Sequence, residues 1–237
     1  MSALNDPEYV REEYASEVGL LGRRAAYDHA SGPNPLELVF ADIADGQPRR
    51  VLEVGPGPGE LAERVQAELG AEVVAIDISP RMVELARARG VDARLGDVQD
   101  LPFGEGEFDC AIAAWMLYHV PDVPRALAEL ARVLEPGGRL VAVTNYRDHL
   151  QEARQLIGAP AQTFSAFSGE NAEELLREAF IRIERHEAPG EITFPTRESV
   201  VEYVDATQGL WGVDAVVPDI TVPFVVRRRT VVLVART

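Results

Sequence analysis

The chain has 237 residues and contains no lysine, so all 23 of its basic residues are arginine. Several enzyme classes depend on a lysine side chain. P-loop NTPases and protein kinases use one on nucleotide phosphates, and pyridoxal phosphate enzymes need one for a Schiff base. The absence of lysine therefore excludes these three classes.

Cysteine and long apolar runs are also scarce. The single cysteine, Cys110, lies inside an apolar stretch and cannot form an internal disulfide, which agrees with a reducing cytoplasm. No run approaches the roughly 18 apolar residues of a membrane span. The N-terminal residues are polar and acidic and do not resemble a signal or transit peptide. We therefore expect a cytoplasmic protein without a membrane partner.

Positive charge is in the minority, since the net charge is -16 at pH 7. A surface of this sign repels the phosphate backbone, so we expect no nucleic-acid partner. The densest basic run, Arg227–Arg229, lies in a β-pattern in which Arg228 points away from its two neighbours. This pattern favours a solvated edge strand over a nucleic-acid site.

Apolar runs and helical patterns alternate regularly between residues 50 and 144. Several of the predicted strands are nearly continuous apolar runs, which is typical of parallel strands covered on both faces. The alternation predicts a doubly wound α/β fold. The predicted strands of this part are 50–54, 72–77, 91–95, 108–114 and 139–144.

The flanking segments have a different pattern. A helix is predicted over 7–27, and Asn34 followed by Pro35 predicts the start of another. After residue 144, short helices precede strands at 181–186 and 191–194, which a turn at Pro189–Gly190 separates. A final strand is predicted over 224–235. We therefore expect one domain over 1–237, made of a helical cap (1–45), a core (48–146) and acceptor-side elements with the terminal strands (147–237).

The stretch Val51–Glu60, VLEVGPGPGE, joins an apolar strand to a glycine-rich turn. It loosely fits the dinucleotide pattern GxGxxA, whose backbone N–H groups bind phosphate. However, Pro56 and Pro58 have no N–H to donate, and Glu53 and Glu60 would repel an anion. The turn therefore favours a positively charged ligand that carries no phosphate.

Two further carboxylates follow strand ends on the same edge of the predicted sheet. Asp77 ends the second strand, where a carboxylate can accept hydrogen bonds from both hydroxyls of a ribose. Asp97 follows the third strand, where it can accept from an exocyclic amine. Each alone could be a helix cap or a solvated turn residue, but position and spacing favour a binding site.

Five motifs occur in order: EVGPGPG (53–59), AIDIS (75–79), LGDVQDLPF (95–103), FDCAIAAWMLYHV (108–120) and LARVLEPGGRL (130–140). Together they resemble class I S-adenosylmethionine-dependent methyltransferases, and are most similar to the group that acts on small molecules. The resemblance covers about residues 48–146. It implies a Rossmann-like methyltransferase fold with a mostly parallel seven-stranded sheet whose last strand is antiparallel.

The resemblance also implies S-adenosyl-L-methionine as cofactor and gives roles to particular residues. Glu53, Gly55 and Gly57 would line its methionine part, and Asp77 would hold the ribose. Ile78 and Met82 would pack on adenine, Asp97 would take the adenine amine, and Val98 would offer its backbone. Ala114 would lie near the transferred methyl. Independently of the resemblance, the glycines Gly55, Gly57 and Gly59 allow close backbone approach of the cofactor.

Residues after the fourth strand are candidates for the acceptor side. Trp115–Tyr118 would form a wall of the acceptor pocket or pack in the core, and His119 is the candidate general base. His149 is a weaker candidate base, and the four histidines have no metal-ligand spacing. The N/D-P-P-Y/F motif of many N-methyltransferases is missing here. Cys110 lies too early in its strand to be a nucleophile, so we expect it in the core.

The leading hypothesis is methyl transfer to an oxygen, nitrogen or carbon atom of a small molecule. Three alternatives stay open: a methyltransferase acting on protein or RNA, a noncatalytic S-adenosylmethionine-binding regulator, and a nicotinamide-dependent dehydrogenase. The sequence leaves the oligomeric state open, with a homodimer among the options.

Overall fold

A seven-stranded sheet with strand order β3-β2-β1-β4-β5-β7-β6 forms the centre of the protein. The computed structural model describes residues 5–16, 18–162 and 165–237. Residues 1–4 and 17 of the predicted cap, and 163 and 164 of the predicted acceptor-side part, lie outside the described residues. The strands are β1 (Arg50–Val54), β2 (Glu72–Asp77), β3 (Asp92–Leu95), β4 (Phe108–Ala114), β5 (Leu134–Asn145), β6 (Arg182–Phe194) and β7 (Phe224–Arg236).

The first five strands pair in parallel, and β7 pairs antiparallel with both β5 and β6. This confirms the predicted doubly wound fold with an antiparallel last strand. The chain leaves β1 toward β2 on one side and returns on the other as β4. Such a point of divergence opens a crevice at the carboxyl ends of the strands.

Helices cover both faces of the sheet and its carboxyl edge. They are α1 (Pro7–Glu13), α2 (Val18–Ala25), α3 (Pro35–Asp45), α4 (Glu60–Leu69), α5 (Pro80–Ala88), α6 (Val123–Val133), α7 (Gln151–Leu156), α8 (Ala172–Leu176) and α9 (Arg197–Asp205). The predicted cap at Asn34 is confirmed, since its side chain accepts from the N–H of Leu36. Ser79 caps α5 in the same way, accepting from the N–H of Met82.

The prediction of one helix over 7–27 is wrong. Helix α1 ends at Glu13, and α2 begins only at Val18. The carbonyl of Tyr14 accepts a hydrogen bond from the hydroxyl of Ser79, 2.8 Å away, at the start of α5. This tertiary contact holds the chain where it bends, and helical periodicity contains no information about it.

The last two strands also differ from the prediction. Strand β6 runs without a break through Pro189 and Gly190, paired residue by residue with β7. Because β6 is the edge strand, the N–H that Pro189 lacks is not needed. Strand β7 is not an edge strand, since it lies between β5 and β6. Arg228 does point away from its neighbours, but its side chain is buried instead of solvated.

Each face of the sheet carries its own apolar cluster. One contains Leu52, Phe108 and Leu130, and the other contains Val51, Val65 and Cys110. A third cluster, around Phe194, Val200 and Tyr203, lies under the elements added after β5. The burial of Cys110 agrees with the prediction that it is a core residue.

Candidate functional site

A cavity of about 680 Å³ opens at the carboxyl ends of β1, β2 and β4. It runs from the turn after β1 to a region beneath α2 and α9, and this volume is typical of a small-molecule site. For description we divide it into two parts. The cofactor half contains Glu53, Asp77 and Asp97, and the acceptor half contains Tyr27, Arg154 and Trp211.

The glycine-rich turn after β1 needs its glycines for two different reasons. Gly55 has a left-handed backbone, φ 64°, and a Cβ there would lie 2.7 Å from that of Met116. Gly57, at φ 55°, faces the cavity. Gly59 is not among the lining residues. A Cβ at Gly59 would lie 2.8 Å from the Cβ of Ala86, so this glycine lets α4 approach α5.

Glu53 is 2 % exposed at the end of β1. Its carboxyl accepts from the N–H of Ala62, while its Oε2 has no partner among the described residues. Burial, assisted by the negative charge of Asp77, raises the pKa of Glu53 to about 8. The predicted fixed negative charge is therefore largely neutralised by a proton at pH 7. A cationic ligand beside Glu53 would release that proton.

Glu60, the second acidic residue of the turn, is half-exposed and already paired. Its carboxylate contacts Arg24, and Arg89 lies 3.2 Å away. Repulsion of an anion by Glu60 is accordingly weaker than the sequence indicated.

Asp77 lies at the end of β2, where it orders the turn into α5. Its carboxylate accepts from the N–H of Ser79 at 2.8 Å and from those of Gly57 and Ile78. Burial outweighs these hydrogen bonds and raises the pKa of Asp77 to about 6. Ile78 and Met82 line the cavity beside it. The carboxylate of Asp77 thus connects the turn after β1 to the turn after β2, next to these apolar side chains.

Asp97 and Val98 also line the cavity, as predicted from the sequence. Both oxygens of Asp97 accept from the side-chain amide of Gln99, at 3.1 and 3.0 Å. The sequence reasoning missed Gln99, although a residue two positions after an aspartate commonly closes such a turn. Ala114, at the end of β4, completes the cofactor half.

The segment after β4 divides between the cavity and the core. Trp115, Met116 and Tyr118 line the cavity, whereas Leu117 is buried in the core. Trp115 has a left-handed backbone, φ 52°, and its indole N–H donates to Asn145. Backbone strain of this kind in a non-glycine residue is concentrated at functional sites.

His119 lies on the cavity wall at a contact with the N-terminal helices. Its Nε2 is 3.1 Å from the hydroxyl of Tyr14, and the two rings meet edge to face with centroids 5.5 Å apart. Burial raises the pKa of Tyr14, so its hydroxyl stays neutral. His119 therefore meets a neutral partner that can orient its imidazole.

His149 is poorly suited to the role of base that the sequence left open for it. Its Nδ1 lies 3.0 Å from the backbone nitrogen and 3.1 Å from the backbone oxygen of Arg229, and its Nε2 lies 3.1 Å from the hydroxyl of Tyr27, so both ring nitrogens are already engaged. Burial lowers the pKa of His149 to about 3. The imidazole stays neutral and fixes the Tyr27 hydroxyl.

The acceptor half contains several residues that sequence reasoning did not single out, although most of them lie in the N-terminal cap and in the acceptor-side segment after residue 146. They come from elements far apart in the chain, so no local motif announces them: Tyr27, Arg154, Tyr203, Trp211 and Arg228. Arg23 links the helices that cover these residues. Its guanidinium donates to the carboxylate of Glu13 at 2.7 Å and to the carbonyl of Ala206 at 2.8 Å. One arginine thereby connects α1, α2 and the end of α9.

The described residues contain no group of three or more histidine, cysteine, aspartate or glutamate side chains that could hold a metal ion. None of the helices in the described part of the chain combines the length and the apolar character that a membrane crossing requires.

The chain is similar in sequence and in fold to known proteins. Residues 52–142 match the family described as "Methyltransferase domain". The chain is 41 % identical over 138 residues to the ubiquinone biosynthesis O-methyltransferase of Xanthomonas oryzae pv. oryzae, which covers 55 % of this chain and 57 % of that relative. The chain thus spans little more than half the length of the curated relatives it matches.

Two solved structures share the fold. The [4+2]-cyclase SpnF superposes with a TM-score of 0.68 at 20 % identity, covering 98 % of this chain and 96 % of that one. The N-methyltransferase NodS of Bradyrhizobium japonicum WM9, solved with S-adenosyl-L-homocysteine, gives a TM-score of 0.56 at 17 % identity and covers 86 % and 85 %.

Proposed function

Because the chain belongs to the class I S-adenosylmethionine-dependent methyltransferase family, we propose that it transfers a methyl group from S-adenosylmethionine to a small-molecule acceptor. The reaction is an in-line displacement at an oxygen, nitrogen or carbon atom of the acceptor. The single observation that carries this proposal is the continuity of the cavity, which joins the cofactor half to a covered acceptor half. We also infer that residues 1–237 act as one domain, with the cap and the segment after β5 enclosing the acceptor.

The side chains of the cofactor half fit S-adenosylmethionine. The unpartnered Oε2 of Glu53 is a buried acceptor that a cationic methionyl group would satisfy. Asp77 would hold the ribose hydroxyls, and Asp97 the adenine amine. Gly55 and Gly57 would allow the turn to approach the methionyl part, while Ile78, Met82, Val98 and Ala114 supply apolar contacts.

When bound, S-adenosylmethionine would supply an electrophilic methyl group on a sulfonium. The contribution of the chain is to align the acceptor and to keep water out, which can account for most of the acceleration of such a reaction. Trp115, Met116 and Tyr118 would form the wall that aligns it. His119 would accept a proton at one ring nitrogen where the acceptor is a hydroxyl or an ammonium, with Tyr14 orienting the ring.

Two other functions remain as alternatives. A methyltransferase acting on protein or RNA would need an open acceptor path, and a net charge of -16 disfavours RNA. A noncatalytic S-adenosylmethionine-binding regulator would use the same cofactor half. The neighbour titled a [4+2]-cyclase is a reminder that one fold hosts several activities. The covered, aromatic acceptor half favours a small molecule over both.

The proposal also covers the cellular location and the partners of the protein. We infer a cytoplasmic enzyme without membrane or nucleic-acid partners, from the single buried thiol and the acidic surface. The oligomeric state is open to measurement by light scattering.

Turnover of methyl-labelled S-adenosylmethionine against fractionated metabolite extracts tests the proposed function. We expect label in a fraction of low molecular mass, and no such product when His119 and Trp115 are both replaced by Ala. Label recovered in protein or RNA would favour the first alternative. Binding of S-adenosylhomocysteine without transfer to any fraction would favour the regulator.

A further inference from the structure

Two buried arginines line the acceptor half of the cavity without a carboxylate partner. Arg154 is 7 % exposed and Arg228 is 3 % exposed. Neither forms an ion pair with any carboxylate in the described part of the chain. Burying an uncompensated charge costs free energy, so an arrangement with two of them needs an explanation.

Both guanidinium groups are held by neutral groups only. Arg154 donates to the carbonyl of Pro160 at 3.2 Å and to the side chain of Gln162 at 3.3 Å, and it stacks over Trp211 at 4.8 Å. Arg228 donates through Nη2 to the carbonyls of Ser31 and Pro33. Its Nε is buried and has no partner among the described residues.

Neighbouring arginines show that partners were available in this region. Arg227 pairs with Glu152 at 2.6 Å, and Arg229 pairs with Asp148 at 3.0 Å. These pairs use the nearby carboxylates on the outer side of β7, where alternation directs both side chains. Arg228 points to the other side and meets none of them.

Both guanidinium groups line the cavity together with His149. Burial is the main cause of the lowered pKa of His149, and the positive charges of Arg228 and Arg154 lower this pKa further, so both cations act on this imidazole. Desolvation by burial lowers the pKa of Arg154 and of Arg228, in agreement with their lack of a counter-ion. The carboxyl groups of Glu53, Asp77 and Asp97 lie instead in the cofactor half. Apart from the exposed Arg24 and Asp28, the lining therefore has carboxyl groups at one end and guanidinium groups at the other.

The surroundings of the two arginines are aromatic. Tyr203 and Trp211 meet edge to face with ring centroids 6.1 Å apart, and Tyr27 lies at the same end. Burial raises the pKa of Tyr203 to about 12, so this phenol brings no negative charge. The walls fit a planar apolar body, and the arginines fit an anion attached to it.

We propose that the acceptor half binds an aromatic organic acid, whose carboxylate lies between the guanidinium groups of Arg154 and Arg228. This inference rests on the proposed function, because the aromatic acid would be the methyl acceptor. Its negative charge would compensate the two buried cations and would hold the aromatic body against Tyr203 and Trp211.

Calorimetric titration of the wild-type chain, saturated with S-adenosylhomocysteine, tests this inference with two probes of nearly the same shape, of which one carries a negative charge. The probes are 4-hydroxybenzoate and its neutral isostere 4-hydroxybenzamide. We expect the carboxylate to bind at least about tenfold more tightly than the amide. Equal affinities, including the absence of binding by either probe, would overturn the inference.

Variants then assign the effect to the arginines. We expect Arg154→Gln to weaken binding of 4-hydroxybenzoate at least about tenfold while 4-hydroxybenzamide changes by less than about threefold. Arg227→Gln is the matched control on β7, because Arg227 is exposed and does not line the cavity; it should change neither affinity. If Arg154→Gln does not fold, Arg228→Gln and the wild-type ratio still decide.

Different results would contradict the methyltransferase function and the binding of an aromatic acid. A wild-type chain that does not bind S-adenosylhomocysteine contradicts the proposed function. A chain that binds it but treats the two probes alike, or whose Arg154→Gln variant loses both probes equally, contradicts only the assignment of an aromatic acid.

Discussion

Glu53 is ionised with difficulty in the folded protein, because it is buried and its pKa is raised from 4.5 to about 8. The unfolded chain ionises near the lower value. The stability that the protonated carboxyl contributes is therefore fully present below pH 4.5 and is lost as the pH rises toward 8. Near neutral pH this residue destabilises the fold, and we infer that cofactor binding is the reason for its presence.

We predict that Glu53→Gln stabilises the protein at pH 7.5 by on the order of 1–3 kcal/mol, because the amide cannot ionise and so removes the preference of a charged Glu53 for the unfolded state. The gain should shrink toward pH 5. The same variant should bind S-adenosylhomocysteine at least about tenfold more weakly, because the ammonium group of the ligand loses the Glu53 carboxylate as a charged partner. Urea melts at both pH values and calorimetry measure these effects.

The matched control for this prediction is Glu68→Gln, on the exposed side of α4, where the carboxylate pairs with Arg64. A surface pair of this kind contributes at most about 1 kcal/mol. A stability gain in Glu53→Gln that is the same at pH 5 and pH 7.5 would show that the ionisation of Glu53 is not its cause.

Asp77→Asn should reduce affinity for S-adenosylhomocysteine at least about tenfold, because each charge-assisted hydrogen bond to the ribose is worth about 1.5–3 kcal/mol. The fold should survive, since the Asn carbonyl can still accept from the N–H of Ser79. Calorimetry gives the affinity and circular dichroism the fold. Asp92→Asn, an exposed carboxylate on β3, is the control; an unchanged affinity in Asp77→Asn would mean that the ribose lies elsewhere.

The elements that the sequence predicted well are those decided by local information. Strands β1, β2 and β4 follow from short apolar runs, and α3 and α5 follow from a capping residue with proline at the first helical position. The break between α1 and α2 could not be predicted in this way, because it depends on the contact of Tyr14 with Ser79, 65 positions further along the chain. The continuity of β6 depends likewise on its pairing with β7.

The residues of the candidate site also fall into those that local sequence predicts and those that depend on tertiary structure. Residues at strand ends, such as Asp77 and Asp97, were predicted because parallel strands bring their carboxyl ends to one edge. Gln99 and the arginines of the acceptor half were missed. Arg228 is the clearest case, since its position in an RRR run indicated solvent, whereas the placement of β7 inside the sheet buries it.

The contact between α1 and the turn after β4 leads to a prediction about turnover. His119→Ala should lower kcat, by up to about a hundredfold if the acceptor loses alignment, while affinity for S-adenosylhomocysteine stays within about threefold. If His119 is the base, the acid limb of the pH–rate profile should disappear. Tyr14→Phe keeps the ring contact and removes the hydroxyl, so it should shift this limb without abolishing it.

Loss of S-adenosylhomocysteine binding in His119→Ala, with normal kcat at saturation, would assign His119 to the cofactor half instead. The base would then have to be the acceptor itself, because both ring nitrogens of His149 are hydrogen-bonded, and the hydroxyl of Tyr146 donates to Glu187 and accepts from Arg185.

Taken as a whole, the protein is a sheet whose carboxyl edge carries one cavity with opposite charge character at its two ends. Acidic residues from β1, β2 and the segment after β3 form one end. Basic and aromatic residues from the cap, α7, α9 and β7 form the other. This arrangement would bring a cationic donor and an anionic acceptor together, away from water. It needs the parallel core and the added segments to fold as one unit.

The central claim is that the acidic end binds S-adenosylmethionine and not a dinucleotide. Calorimetric titration of the wild-type chain with S-adenosylhomocysteine and, separately, with NADH tests it most directly. We predict saturable one-site binding of S-adenosylhomocysteine and no measurable binding of NADH, because Pro56 and Pro58 lack the N–H donors that a pyrophosphate needs. Binding of NADH without binding of S-adenosylhomocysteine would contradict the account.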